Sequence, residues 1–302
     1  MLLDPTVLLT SGALALSVLL LWAPLPGTAG PRLHAWPSGA ALALALACAF
    51  GLAGGLLDWR APIAILAYAA VAIGARDAPG TAVRVPLLIV TGLVAFLFAL
   101  HRIPGFHNAV IADAVQFSAD APPYRLRLNV DTAVAGIVLM AVFCRPIRAA
   151  ADWRAMLSRI WPVVLSVLVV VLGLGWAVGY VRPDVKWTPY SAAFLAANLL
   201  FTCVTEEAFF RGFLLRRIAD GLAVRFDART ATVTAVLVST LLFGLAHAAG
   251  GAALVVLATV AGLHYALAYL RSGRIEGAIL THFALNAVHF VAFTYPALTA
   301  AR

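Results

Sequence analysis

Charge is the first thing this sequence lacks. Only 11% of its 302 residues are charged, against 63% hydrophobic, and the mean hydropathy is +0.98. A soluble domain carries roughly a quarter charged residues, so too few are present to cover a water-facing surface. Cysteine is scarce as well. Cys48, Cys144 and Cys203 lie in apolar stretches without CxxC spacing, which gives neither a disulfide frame nor a cysteine zinc site. The stretch from Met1 to Pro26 lacks the basic n-region and the small-residue cleavage site of a secretory leader. Thr6 to Trp22 therefore reads as a retained first span.

What the sequence has is apolar runs bounded by charge, Pro or Gly. They predict ten helices, at 6–24, 38–57, 61–75, 85–101, 130–144, 161–181, 190–217, 230–248, 251–271 and 277–298. The fold class is all-α, a polytopic transmembrane bundle of about eight to ten helices. The third run is short, and the fifth barely crosses a hydrocarbon core of about 30 Å, so one or two could be interfacial or re-entrant. The net charge of +8 does not point to nucleic acid. The basic residues are nearly all Arg, spread between apolar runs as anchors and topology signals, and no basic helix carries interleaved aromatics.

With all ten helices crossing and the N-terminus outside, fourteen arginines (Arg32 and the cluster Arg145, Arg148, Arg154 and Arg159 among them) fall inside. Seven basic residues, including Arg182, Lys186 and Arg302, fall outside, which satisfies the positive-inside rule. Residues 102–129 form a long outside segment mixing aromatic, Pro and acidic residues, expected as a partly ordered cap. Residues 145–160 carry four Arg with Trp153, Met156, Leu157 and Ile160, the pattern of an amphipathic helix on the cytoplasmic surface. The expected division is an N-terminal helical region, 1–145, and a C-terminal core, 146–302.

Ionisable groups inside a bilayer cost several kcal/mol unless they are paired or face a polar cavity. All ten Asp lie at span ends or in loops, whereas two of the three Glu, Glu206 and Glu207, sit inside the apolar segment Ala197–Leu215. Glu207 and Arg211 are four apart, Glu first, a favourable pairing on one helix face. Glu206 points about 100° away, without a local cation. A carboxylate in so dry a place is suited to proton transfer, although both Glu could instead knit helices together through buried ion pairs. Four of the seven His, namely His247, His264, His282 and His289, fall in the last three spans. His282, Asn286 and His289 line one stripe of the last helix. His264 and His289 read as core histidines satisfied by a carbonyl.

Three motifs follow in order on successive predicted spans. Glu206-Glu207-Ala208-Phe209-Phe210-Arg211 fits EExxxR, Phe243 to His247 fits FxxxH, and His282 to Asn286 fits HxxxN. Together they resemble the CPBP family, the CAAX prenyl proteases and bacteriocin-processing or immunity proteins also called the ABI family. The resemblance covers about residues 185–295. It implies an intramembrane protease in which Glu206 activates a water that His247 helps to hold or polarise. Glu207 and Arg211 would brace their helix, and His282 and Asn286 would stabilise the oxyanion. That assignment is chemically coherent, since hydrolysis needs a base within reach of water and donors aimed at the developing charge.

Glu206, His247 and His282 could alternatively form a two-His, one-carboxylate zinc site with an open position. HExxH is absent and the ligands would come from three helices, so the expectation is no metal and no cofactor. Substrate is not legible in the motifs. The Arg-dominated, Gly/Ala-rich composition suggests a high-GC bacterium and its inner membrane. Pro104 to Asn108 and Asn129-Val130-Asp131 resemble a bacterial subset serving C-terminal sorting or anchoring tails. The expected substrate is a membrane-anchored peptide or protein, a C-terminal sorting tail being one candidate, with the lipid bilayer as the other partner. A non-catalytic immunity or scaffold protein is the alternative. A proton-coupled transporter is disfavoured because no inverted repeat is visible. One inconsistency remains. At ~1.5 Å per residue, His282 lies ~12 Å past Arg274 but His247 ~27 Å past Arg229, so either the helix near 230 starts outside the bilayer core or the site is deeper.

Overall fold

The computed structural model describes residues 4–23 and 38–301. Arg32, Arg302 and both ends of the Met1–Pro26 stretch lie outside the described residues. Among the described residues the chain forms ten helices: α1 Pro5–Leu20, α2 Ser38–Ala53, α3 Arg60–Asp77, α4 Thr81–Ala99, α5 Val130–Phe143, α6 Ala150–Ala177, α7 Ser191–Leu222, α8 Ala228–Ala246, α9 Ala252–Ser272 and α10 Ile275–Ala292. Six of them, α4 and α6 to α10, are long and apolar enough to cross a membrane, and α1, α2 and α5 are shorter apolar helices. The protein is an integral, multi-pass membrane protein.

Two features differ from the sequence expectation. The segment 102–129, expected as a partly ordered cap, contains a two-stranded ribbon, β1 Ala109–Val115 and β2 Tyr124–Leu128, a pairing the sequence did not announce. The Arg-rich stretch is not a separate surface helix: Arg145 and Arg148 precede α6, and Arg154 and Arg159 lie in its first turns. At 28 residues α6 is about 42 Å long, more than a hydrocarbon core of about 30 Å. Its charged start can therefore lie beyond the apolar layer without a break.

The described chain separates into two compact units, the first made of 1–111, 127–148 and 200–209, the second of 112–126, 149–199 and 210–302. In the first, α5 is the core. Past Asp131 and Thr132 it is apolar all round, and a helix of that kind is buried. Eleven of its fourteen residues are buried, with α1, α3, α4 and the Val204–Glu207 stretch of α7 packed on it. This explains why a helix of only about 21 Å serves here, since it is wrapped by protein. Gly136 makes one approach close: a Cβ there would stand 2.8 Å from Thr205 Cα. Beside it, the Thr205 hydroxyl donates to Thr132 O at 3.1 Å.

In the second unit α9 is central, packing on α6, α8 and α10. Asp227 caps α8 by accepting from the Arg229 and Thr230 amides, both at 3.0 Å. Gly273, at φ +66°, closes α9 in the left-handed conformation that glycine adopts without cost. Arg274 pairs with Asp152 at 3.0 Å, and Arg271 donates to Arg159 O at 3.3 Å. The start of α6, the end of α9 and the start of α10 thus share one arginine-rich end. Phe194 stacks on Phe290 at 4.0 Å, and Phe117 lies 5.1 Å from Phe290, so aromatic contacts pin the 112–126 segment.

Candidate active site

Helix α7 carries the first motif and is irregular around it. The α-helical turn Val204–Glu207 lies between π-helical stretches, Asn198–Cys203 and Ala208–Leu215. A π stretch bonds i to i+5 and occurs often at functional sites. It also disturbs the α register on which four-residue stacking depends. Inside the second unit, the Ser239 hydroxyl of α8 donates to Phe210 O at 2.8 Å. Within the first unit, Glu207 is fully buried and Glu206 partly exposed, so the adjacent carboxylates occupy different environments.

The second unit gathers parts of all three motifs around one ring. Phe243 of α8 faces the Arg211 guanidinium, whose carbon lies 4.6 Å from the ring centroid. The His247 ring lies 4.8 Å away and the His282 ring 5.8 Å away. Tyr265 of α9 completes the group, 5.7 Å from Phe243 and stacked on His282 at 4.4 Å. Arg211 is fully buried and donates to Gly262 O at 2.7 Å. That approach is tight for any other residue, because a Cβ on residue 262 would stand 3.1 Å from the guanidinium and 3.0 Å from Phe243.

These contacts resolve the depth mismatch within this unit. Phe243 is fifteen residues into α8, about 22 Å, whereas Tyr265 and His282 are each about 10 Å from the arginine-rich ends of their helices. Since Phe243 touches both, α8 must begin about 12 Å beyond the ends of α9 and α10. The residues around its start are exposed accordingly.

His247 ends α8, and its Nδ1 lies 2.8 Å from Phe243 O. A carbonyl only accepts, so Nδ1 donates, and in the neutral ring Nε2 is left as an acceptor. Asn286 donates through Nδ2 to Asn198 Oδ1 at 3.2 Å, which orients its amide. His264 and His289 have carbonyl partners: Val260 O is 2.8 Å from His264 Nδ1, and Thr294 O is 3.2 Å from His289 Nε2. Ser166 Oγ also meets His264 Nε2 at 3.1 Å. Sequence reasoning did not single out Tyr265 or Gly262, since a tyrosine and a glycine in an apolar helix carry no spacing signal. Among the described residues, no group of three or more His, Cys, Asp and Glu is gathered so as to hold a metal ion.

Residues 187–288 match the family model described as type II CAAX prenyl endopeptidase Rce1-like. The match runs from just before α7 into α10 and includes all three motifs. No curated protein and no solved structure matches the chain.

Proposed function

Because residues 187–288 belong to the CAAX-type family of membrane proteases, we propose that this chain is a glutamic intramembrane endopeptidase. Its substrate is a membrane-anchored peptide or protein, cut near its span, with a C-terminal sorting tail in a bacterial inner membrane as the leading case. The Glu206 carboxylate takes a proton from water, and the oxygen attacks the scissile carbonyl. His247, left with Nε2 as its acceptor, accepts a hydrogen bond from the O–H that stays on the attacking oxygen. His282 and Asn286 donate to the oxyanion as it forms. When the tetrahedral intermediate collapses, the proton held by Glu206 passes to the leaving amine. Glu207 and Arg211 brace the first motif.

The observation that carries this reading is the group around Phe243, which joins Arg211 of the first motif, His247 of the second and His282 of the third. Such a convergence of polar groups within apolar helices is expensive unless used. The test is cleavage by the reconstituted protein of tail peptides and of a prenylated CAAX peptide. Glu206→Gln and His247→Ala should each lower the rate by about 10²–10⁴, with no effect of a chelator. Wild-type rates in Glu206→Gln would remove the assignment, and chelator inhibition reversed by zinc would replace it with the metal form.

A further inference from the structure

Between α6 and α10 lies an apolar groove of about 410 Å³, whose α10 wall includes Ala284 from inside the His282–Asn286 motif. Leu157, Trp161 and Leu165 line it from α6, and Leu280 and Ala284 from α10. Ala284 contributes only a methyl, which leaves the space. A groove with such walls gives water no polar partners, so in a bilayer a hydrocarbon chain is its natural filling.

The end of the groove is charged. Helical spacing puts Arg154 one turn before Leu157, on the stripe that continues through Trp161 and Leu165. Arg159 lies on the same turns, and Arg271 reaches the Arg159 carbonyl from α9. All three are exposed. The nearby acid, Asp152, is already taken by Arg274, so these three charges stand in excess. Trp161, 59% exposed, has the amphipathic ring that settles at the headgroup level.

We propose that this groove binds one anionic phospholipid, with an acyl chain between α6 and α10 and the headgroup phosphate at Arg154 in the field of Arg159 and Arg271. A zwitterionic lipid brings its own ammonium, which the same field repels. An anionic headgroup matches both the charge and the apolar wall, as basic pockets between transmembrane helices do.

Native mass spectrometry of the purified full chain tests this, after delipidation and exposure to phosphatidylglycerol or to phosphatidylcholine of the same chains. One phosphatidylglycerol per chain should be retained in preference to phosphatidylcholine. Arg154→Gln should weaken its retention about fivefold, and Ala284→Trp should abolish binding of either lipid by filling the groove. Arg154 is exposed and Ala284 partly exposed, and unchanged thermal unfolding of the lipid-free variants verifies their fold. Equal retention of the two lipids would overturn the headgroup assignment. Wild-type retention by Ala284→Trp, or stabilisation by glycerol phosphate equal to that by the lipid, would overturn the groove.

Discussion

The imidazole of His282 lies flat against the phenol ring of Tyr265, with centroids 4.4 Å apart and planes within 14°. Both residues are buried, so this stack, together with the edge of Phe243, fixes the ring plane of the proposed oxyanion donor. Tyr265→Phe keeps the ring and should cleave at close to the wild-type rate. Tyr265→Ala removes the wall and should cost about 3 kcal/mol of stability. It should also lower kcat more than it raises KM, because a mis-set donor weakens the transition state rather than binding. Steady-state kinetics of the two variants, alongside thermal unfolding in detergent, would check the split.

Arg211 is the largest fully buried side chain among the described residues, held by Gly262 O and by the faces of Phe243 and Tyr265. Arg211→Ala should destabilise the protein by about 3 kcal/mol, the scale for breaking a buried charged network. Arg211→Lys keeps the charge but loses the planar fork and the stacking, so it should recover only part of that loss. A lysine variant that unfolds at the wild-type temperature would show that charge alone matters at this position.

Ten apolar runs in the sequence correspond to ten helices among the described residues, because lipid solvation makes the hydrophobic pattern the dominant signal. The ribbon over 109–128 was not legible, since its pairing depends on contacts made elsewhere, such as Phe117 against Phe290. The π-helical stretches beside Glu206 were also invisible, because an extra residue in a turn leaves no mark on hydropathy. The motif residues themselves were legible as costly polar groups in apolar runs. Tyr265 and Gly262, which hold them, were not, because their roles arise only when α9 meets α7 and α10.

Gly136 offers a test that reaches the first motif from behind. A methyl group there would press on Thr205, the residue before Glu206, at 2.8 Å from its Cα. Overpacking of this kind costs about 1–3 kcal/mol, and the displaced element carries the proposed base. Gly136→Ala should therefore lower both the unfolding temperature and the cleavage rate. Thr205→Ser, which keeps the hydroxyl bonded to Thr132 O, should leave both nearly unchanged. Wild-type stability in Gly136→Ala would mean that α5 and α7 have room to part.

His101 sets a pH dependence of stability in the first unit. It lies just past α4 with a left-handed backbone, φ +57°, and its Nδ1 is 2.8 Å from Asp131 Oδ2. Asp131 is buried, and its other oxygen accepts from Asn108 Nδ2 at 2.9 Å and from the Thr132 amide at 2.8 Å. The hydrogen bond to this carboxylate raises the His101 pKa above its usual value, against the opposing effects of partial burial and of Arg127. A raised folded-state value means that the protonated ring stabilises the native form. That contribution is complete below the unfolded-state value of about 6.5 and is lost as pH climbs through the raised value. The unfolding temperature of the wild type should therefore fall over that interval relative to His101→Gln, whose difference from wild type should shrink towards alkaline pH. Parallel curves for the two proteins from about pH 6 to 9 would show that the His101–Asp131 contact carries no net charge coupling.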